Sequence, residues 1–215
     1  SGIIDARWFI EATDAAALLE GSRAWTAADA QALRAWMKDY LRWLLESPNG
    51  QQEAKARNNH GSWYAAQAAA IALYVGDSAT ARRLVTETRA RIGWQITPAG
   101  EQPTEMARTR SLHYSTFNVE ALSRLAEMGR RLGVDLWGWQ APEGGSLRRA
   151  TDRIAAFAAD PAKWPGQQLD AMDPADFLLT LRRGAARWGG DAYAGVLRTL
   201  TDDAARKDRS ALLYP

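Results

Sequence analysis

The chain has 215 residues, of which 47% are hydrophobic and 24% are charged, and this length suffices for one domain with a full hydrophobic core. With 27 basic and 25 acidic residues the formal charge is +2, which gives no electrostatic case for a nucleic-acid partner. The chain has no cysteine, which excludes disulfides, thiol nucleophiles and thiolate metal sites, and no apolar run approaches the roughly 20 residues of a membrane span.

The first quarter of the chain has helical periodicity. A first helix is expected over residues 5–20, ending at Gly21, and a second is expected to begin at Thr26, where Thr26 and Asp29 have the spacing of a capping box. The turn sequence "SPNG", residues 47–50, is expected to end the second helix. The predicted apolar face of this helix, at spacings of three and four, comprises Leu33, Trp36, Met37, Tyr40, Trp43 and Leu44.

Small apolar residues dominate the next predicted helix, "AAQAAAIALYVG", and this composition predicts deep burial. A fourth helix lies within "GDSATARRLVTETRARIG", and a fifth runs from about Ser111 to Leu132 after the irregular stretch "WQITPAGEQPTE". A second loop, "WGWQAPEGG", leads to a helix from Ser146, and two more helices are expected near 174–188 and 191–203. The predicted inward positions of the fourth and fifth helices are Leu84, Val85, Ile92, Leu112, Phe117, Leu122, Leu125 and Met128.

The order of these elements predicts an all-α fold, since no segment has a convincing strand pattern. Successive helical hairpins are typical of a bundle, an α-solenoid or an α/α toroid. A fixed repeat period is absent, which weakens the solenoid interpretation. No low-complexity linker interrupts the chain, so residues 1–215 are assigned to a single domain.

Two loop-to-helix junctions concentrate polar side chains. The stretch "ARNNHGSWYAAQ", residues 56–67, places Asn58, Asn59 and His60 directly before the third helix. The stretch "ARTRSLHYSTFN", residues 107–118, contains Arg108, Arg110, His113 and Tyr114. A histidine at a helix start is often structural and either asparagine could be an N-cap, so the first motif alone leaves both interpretations open. Together, the junctions favour a site at one end of a helical toroid.

Asparagine, histidine, arginine and tyrosine are the set needed to eliminate across C4–C5 of a uronate. The C5 proton of a uronic acid is weakly acidic because a carboxylate lies beside it. Amide or guanidinium donors must therefore neutralise that carboxylate and stabilise the developing enolate. A base must then take the C5 proton, and an acid must protonate the departing O4. A single tyrosine can do both in β-D-mannuronate or β-D-glucuronate, where the two groups lie on one face, whereas α-L-guluronate needs two groups.

The segments "NNHGSWYAAQAAAIALYVGD" and "ARTRSLHYSTFNVEAL" resemble the alginate lyase family of polysaccharide lyases, and the resemblance extends from about residue 3 to about residue 165. It implies an α/α-toroid catalytic domain, an acidic polysaccharide substrate, no cofactor, and a periplasmic or secreted location. By this resemblance Asn59 neutralises the carboxylate, His60 lies beside it, Tyr114 is base and acid, and an arginine before the tyrosine completes the set. Further substrate contacts are expected from Trp63, Gln67, Arg110, His113 and Trp139.

The chain departs from the family pattern in two respects. In the best-studied bacterial members the arginine lies seven residues before the tyrosine, where this chain has Ala107; Arg108 lies six and Arg110 four residues before Tyr114. The six-residue spacing is more similar to the branch that includes glucuronan lyases, so Arg108 is the expected catalytic arginine and Arg110 is the open alternative. Alginate, polymannuronate and glucuronan stay open as substrates. Members of the family also usually carry more helices before this part, so a further N-terminal segment is expected to complete the toroid.

Other chemistries fit the sequence less well. His60 and His113 form no HxxxH or HExxH pattern, so no metal site is expected. No GxSxG elbow accompanies Ser62, which disfavours a serine hydrolase. Asp173 and Asp176 are more typical of a helix start than of a glycosidase carboxylate pair.

Ten tryptophans raise the question of sugar binding. Trp137 and Trp139 lie in a loop, where an indole can either stack on a sugar ring or pack in the core. The alternative to a lyase is a non-catalytic helical carbohydrate-binding or scaffold protein of the same fold. The presence of the complete four-residue set favours the enzyme.

Overall fold

The computed structural model describes residues 2–189, 191–200 and 210–214. This part of the chain consists of α-helices, one 3₁₀ turn at Pro161–Lys163 and two isolated antiparallel bridges, and it contains no β-strand. None of its helices combines the length and the apolar character needed to cross a bilayer. The helices are α1 (Gly2–Asp5), α2 (Trp8–Leu19), α3 (Ala27–Glu46), α4 (Pro48–Lys55), α5 (Asn59–Tyr74), α6 (Ser78–Gln95), α7 (Pro103–Met106), α8 (Ser111–Leu132), α9 (Leu147–Ala158), α10 (Ala175–Trp188), α11 (Asp191–Thr199) and α12 (Ser210–Leu213).

Most predicted helices are confirmed; the differences lie in the first predicted helix, at "SPNG", and in the stretch "WQITPAGEQPTE", where the short helix α7 begins. The single helix expected over residues 5–20 is two helices, α1 and α2, separated at Ala6 and Arg7. The stretch "SPNG" ends the second predicted helix as expected, since α3 ends at Glu46, but in place of a turn it begins the extra helix α4. The reason is that Ser47 follows α3 and its hydroxyl also caps the backbone N–H of Gly50, while Pro48 occupies the first helical position, where it is favoured. Of the last predicted helix, residues 201–203 lie outside the described residues.

The apolar face of α3 differs from the predicted one. Met37, Leu41 and Leu44 are the buried positions of this helix, whereas Trp36 is 49% and Trp43 is 46% exposed. The capping box at the start of α3 is confirmed, with the Asp29 N–H donating to the Thr26 hydroxyl and the Thr26 N–H donating to the Asp29 carboxylate.

Contacts divide the chain into two compact units, and the assignment of a single domain stays a prediction. Unit 1 comprises Ser1–Thr88 and Arg124–Asp135. Its central helix is α5, which packs against α1, α2, α3 and α4 and buries nearly every residue, as its composition predicted. Alanines dominate α5, and their small side chains allow the neighbouring helices to approach closely.

Unit 2 comprises Arg89–Ser123 and Leu136–Pro215. Within it α10 packs against α9, α11 and α12, and its apolar positions Phe177, Leu178 and Leu181 are fully buried. The helix predicted from Ser146 is confirmed as α9, with the Ser146 hydroxyl accepting a hydrogen bond from the Arg149 N–H.

Hydrogen bonds among buried side-chain amides in unit 2 hold the segment between α6 and α8 in place. The Asn118 side chain, which is fully buried on α8, donates to the side-chain oxygens of Gln95 at 3.1 Å and Gln102 at 2.7 Å. Gln102 in turn donates to the Ser115 carbonyl at 3.0 Å. Because Gln95 ends α6 and Gln102 precedes α7, the network holds the short helix that leads to Arg108.

Candidate functional site

The start of α5 in unit 1 carries the first polar motif. Asn58 has an extended backbone, and its side-chain oxygen accepts a hydrogen bond from the His60 N–H at 3.1 Å, so Asn58 is the N-cap. Asn59 is then the first helical residue, and its side chain is 1% exposed. The sequence alone allowed either asparagine to be the cap. In the structure Asn58 is the cap, and Asn59, the residue expected to contact the substrate, is not.

The imidazole of His60 is held by a carboxylate from the preceding helix. Its Nδ1 lies 3.0 Å from Oε2 of Glu53 on α4, and both side chains are 26% exposed. Glu53 was absent from the expected site, since no periodic pattern relates it to His60 across the break between α4 and α5.

Trp63 and Gln67, which were expected to contact the substrate, lie inside unit 1. Trp63 is 1% exposed and the Arg124 guanidinium lies 5.7 Å from its ring, while Gln67 is fully buried and its amide donates to the Ile3 carbonyl at 2.6 Å. A direct substrate contact for these two residues stays a prediction that this geometry does not favour.

The start of α8 in unit 2 carries the second motif, and a later segment of the chain braces it. The Ser111 hydroxyl donates to the Gln167 carbonyl at 2.7 Å and accepts a hydrogen bond from the Trp164 indole, also at 2.7 Å. The side-chain oxygen of Gln168 accepts from the N–H groups of Leu112, at 3.1 Å, and His113, at 3.3 Å. Four orphan N–H groups begin every helix, and Gln168 satisfies two of them here.

Arg108 lies against the ring of Tyr114. Its guanidinium carbon is 3.3 Å from the ring centroid, and one of its nitrogens is 3.1 Å from Oε2 of Glu105, a carboxylate that is 1% exposed. Arg108 itself keeps 30% of its side chain exposed, and Tyr114 is half-buried. Glu105 was not identified from the sequence as the partner of Arg108, although it lies only three residues earlier, on the short helix α7 that ends at Met106.

Arg110 is directed to a different partner. Its Nε lies 3.0 Å from Oδ2 of Asp170, as an ion pair rather than an aligned hydrogen bond, and both side chains are largely exposed. Arg110 is therefore engaged by the bracing segment after α9, whereas Arg108 is engaged by Glu105 and Tyr114.

His113 packs among aromatic rings beside Tyr114. Its ring centroid is 5.5 Å from that of Tyr114 and 6.0 Å from that of Phe117. Burial lowers the pKa of His113 below its ordinary value of 6.5, and the nearby charge of Arg110 lowers it further, against the opposing effect of Asp176. A histidine with a lowered pKa is neutral at neutral pH, which suits a hydrogen-bonding role.

The tryptophans that were considered for sugar stacking have different environments. Trp137 is 7% exposed and packs edge-to-face on Trp188, which places it in the core of unit 2, whereas Trp139 is partly exposed. A role of Trp139 in sugar binding stays a prediction.

Unit 1 contains an aromatic cavity that the sequence did not reveal. Its volume is about 450 Å³, and α1–α4 supply its walls. The lining includes Phe9, Trp36, Tyr40, Trp43 and Glu53, the partner of His60. The three aromatic residues of α3 had been assigned to the packing face, because a stripe at helical spacing does not distinguish core from cavity lining. In the described residues, no group of three or more histidine, aspartate or glutamate side chains could hold a metal ion.

Comparison with known proteins gives concordant results. The crystal structure of an alginate lyase from Bacteroides ovatus at 1.60 Å resolution superposes with a TM-score of 0.92 at 29% sequence identity, covering 100% of this chain and 57% of that one. An alginate lyase of Pseudomonas syringae pv. tomato (strain ATCC BAA-871 / DC3000) is 27% identical over 149 residues, which are 69% of this chain and 38% of that protein. The chain thus spans little more than half the length of the first relative and less than half of the second.

The structural match over the whole chain confirms the predicted fold class, an all-α fold of the α/α-toroid type. The family model for alginate lyases matches residues 1–164 of the 215. Both polar motifs lie within this match, and the chain belongs to the alginate lyase family.

Proposed function

We propose that this protein is a polysaccharide lyase, which cleaves β-1,4-linked uronans by β-elimination and leaves a 4,5-unsaturated uronate at the new end. The observation that carries the proposal is the contact between Arg108 and Tyr114, in a chain of the alginate lyase family. A tyrosine beside an anchored guanidinium combines a proton-transfer group with a cation that can neutralise a uronate carboxylate.

Arg108 and Asn59 are assigned to the carboxylate of the sugar that loses its C5 proton. As that proton leaves, negative charge develops on the carboxylate oxygens of the enolate, and donors placed in advance stabilise this charge without further reorganisation. The ion pair with the buried Glu105 supports this role for Arg108, because it limits the orientations of the guanidinium. Asn59 is assigned from its place in the family motif beside His60; its 1% exposure, like that of Trp63, does not favour a direct contact.

Tyr114 is assigned to proton transfer. Its oxygen, as the phenolate, takes the C5 proton, the electron pair of the C5–H bond forms the C4–C5 double bond, and the C4–O4 bond breaks. O4 receives a proton from the same phenol, so the tyrosine returns to its starting state and no external reactant is needed. This single-residue route requires that the C5 proton and O4 lie on one face of the sugar.

The substrate is proposed to be a β-D-uronan, either the mannuronate blocks of alginate or glucuronan. Alginate is the polymer named for both relatives, and the six-residue spacing between Arg108 and Tyr114 favours glucuronan. Since such polymers are met outside the cytoplasm, we place the protein in the periplasm or among secreted proteins.

Incubation of the protein with a panel of polymannuronate, polyguluronate, alginate and glucuronan tests the proposal. The unsaturated product absorbs in the ultraviolet, so elimination appears as a steady rise in absorbance. Wild type is expected to generate product on at least one uronan, and Tyr114→Phe is expected to generate little. Binding to a uronan without any product would instead identify the non-catalytic carbohydrate-binding alternative.

A further inference from the structure

We propose that Glu53 is a positioning residue, which holds the imidazole of His60 as the tautomer with its proton on Nδ1. The observation is the 3.0 Å contact between Glu53 Oε2 and His60 Nδ1 in unit 1. A carboxylate only accepts hydrogen bonds, so the ring nitrogen that faces it must donate one. The role of His60 in elimination rests on the proposed function, whereas the state of the ring can be measured without any substrate.

The carboxylate of Glu53 has a fixed position because hydrogen bonding and close packing fix the start of its helix, α4. The Ser47 hydroxyl accepts a hydrogen bond from the Gly50 N–H at 3.0 Å. Gly50 lies so close to α3 that a Cβ there would be 2.0 Å from the Leu44 carbonyl oxygen, so only glycine permits this approach. Helix α4 also packs along α5. Glu53 therefore belongs to an element with a fixed position relative to His60.

His60 is restrained at two separate points. Its backbone N–H donates to the capping side chain of Asn58, and its ring meets Glu53. The first contact fixes where the helix begins, and the second selects the orientation and the tautomer of the ring. Free neutral histidine in water prefers the proton on Nε2, so the contact with Glu53 reverses the usual preference.

The tautomer decides which nitrogen can serve the substrate. With the proton on Nδ1, the lone pair is on Nε2, and Nε2 accepts a hydrogen bond or a proton. When the ring takes a proton, the imidazolium and the Glu53 carboxylate become an ion pair, as in other carboxylate–histidine pairs. Glu53 acts through His60 and need not touch the sugar.

Nitrogen-15 NMR of the histidine rings tests the inference directly. The chain has only two histidines, so the spectrum of a His113→Gln variant identifies the signals of His60. The two ring-nitrogen shifts, followed with rising pH until they stop changing, identify the tautomer of the neutral ring. The Nδ1–H form is expected in wild type, and a shift toward the Nε2–H form is expected in Glu53→Ala.

Kinetics with matched variants supply the second readout. Glu53→Ala is expected to lower kcat by on the order of tenfold to a hundredfold, the range found for groups that orient metal-bound histidines, with little change in KM. Glu53→Gln keeps an oxygen acceptor and is expected to recover part of kcat and the Nδ1–H tautomer. The exposed carboxylate of Glu46 gives the control Glu46→Gln, which should change neither readout.

Two results would overturn the inference: an Nε2–H ring in wild type, or a tautomer that stays unchanged in a folded Glu53→Ala protein. If every uronan is left intact by wild type, the proposed function fails, and the NMR spectra still decide whether Glu53 sets the state of His60. Thermal melting of each variant separates loss of fold from loss of positioning, and Glu53→Gln provides a milder change if Glu53→Ala does not fold.

Discussion

The guanidinium carbon of Arg108 lies 3.3 Å from the ring centroid of Tyr114, six residues later in the chain. The cation lies over the face of the ring, and one guanidinium nitrogen is 3.1 Å from Oε2 of Glu105. This contact distinguishes Arg108 from Arg110, which is paired with Asp170. Arg108, proposed to bind the uronate carboxylate, and Tyr114, proposed to transfer the proton, therefore lie on one short segment of unit 2.

Replacement of Tyr114 by phenylalanine tests the proton-transfer role. The ring and its contact with Arg108 should persist, because a phenyl face also attracts a cation, whereas the hydroxyl that moves the proton is lost. We expect the rate of elimination to fall by on the order of 10² to 10⁴, with a nearly unchanged melting temperature. The initial rate of absorbance increase gives kcat. Normal turnover by a folded Tyr114→Phe protein would mean that another residue is the base.

Separate alanine variants of Arg108 and Arg110 test which arginine acts on the carboxylate. Charge grows toward the enolate, so Arg108→Ala should lower kcat by on the order of 10² to 10³ and change KM less. Arg110→Ala removes a largely exposed ion pair and should have a small effect. The reverse ranking in steady-state kinetics would transfer the role to Arg110, and an Arg108→Ala effect confined to KM would indicate uniform binding.

The sequence predicted both ends of helix α8 closely, because a strong apolar period runs from its first turn to Gly133. The sequence did not predict α4, because Pro48 and Gly50 usually indicate a turn. Here they begin a helix, since Ser47 caps it. The sequence also could not separate Arg108 from Arg110. The choice depends on which carboxylate each side chain meets, and Asp170 comes from a segment sixty residues further along the chain.

Glu53, the partner of His60, was missed for the same reason. Glu53 reaches His60 across a break between helices, and such a contact has no period in the sequence. In contrast, the capping box of Thr26 and Asp29 is local, and local hydrogen bonds could be predicted from residue types alone.

The lowered pKa of His113 predicts a pH dependence of stability. Burial and the neighbouring charges of Arg110 and Arg108 disfavour the protonated ring, against Asp176 and Asp170. Below about pH 6.5 the unfolded chain therefore binds more protons at this position than the native protein does. The free energy of unfolding should fall as the pH falls from 6.5 to the lowered pKa of the folded state.

Urea unfolding at about pH 7 and about pH 5.5, in wild type and in His113→Gln, measures this contribution. The variant has no titrating ring at this position and should lose less stability between the two conditions. An NMR titration of the His113 ring gives its pKa directly, and a value at or above 6.5 would contradict the prediction.

Asn118 is expected to be a structural support of the Arg108 segment. Replacement of Asn118 by alanine removes the amide that donates to both Gln95 and Gln102. The buried side-chain oxygens of these two glutamines then lose this donor. The expected loss of unfolding free energy is about 2 kcal/mol. Urea unfolding measures it, with the exposed amide variant Gln31→Ala as the control. A loss as small as that of Gln31→Ala would show that the network does not stabilise unit 2.

The stereochemistry of the substrate is the most discriminating test of the proposed mechanism. One tyrosine beside Arg108 suits syn elimination, in which the C5 proton and O4 lie on the same face of the ring. Polymannuronate or glucuronan should therefore yield unsaturated product faster than polyguluronate at equal concentrations of uronate.

His60 provides the competing route. With the lone pair of the ring on Nε2, His60 could take the C5 proton of guluronate from the opposite face, and Tyr114 would then act only as the acid. Initial rates on the pure block polymers, measured for wild type and for His60→Ala, separate the two routes. Under the syn mechanism, His60→Ala should lower the rates on all active polymers by a similar factor, because the histidine supports one common step. A preference for polyguluronate that is lost selectively in His60→Ala would reject syn elimination and make His60 the base.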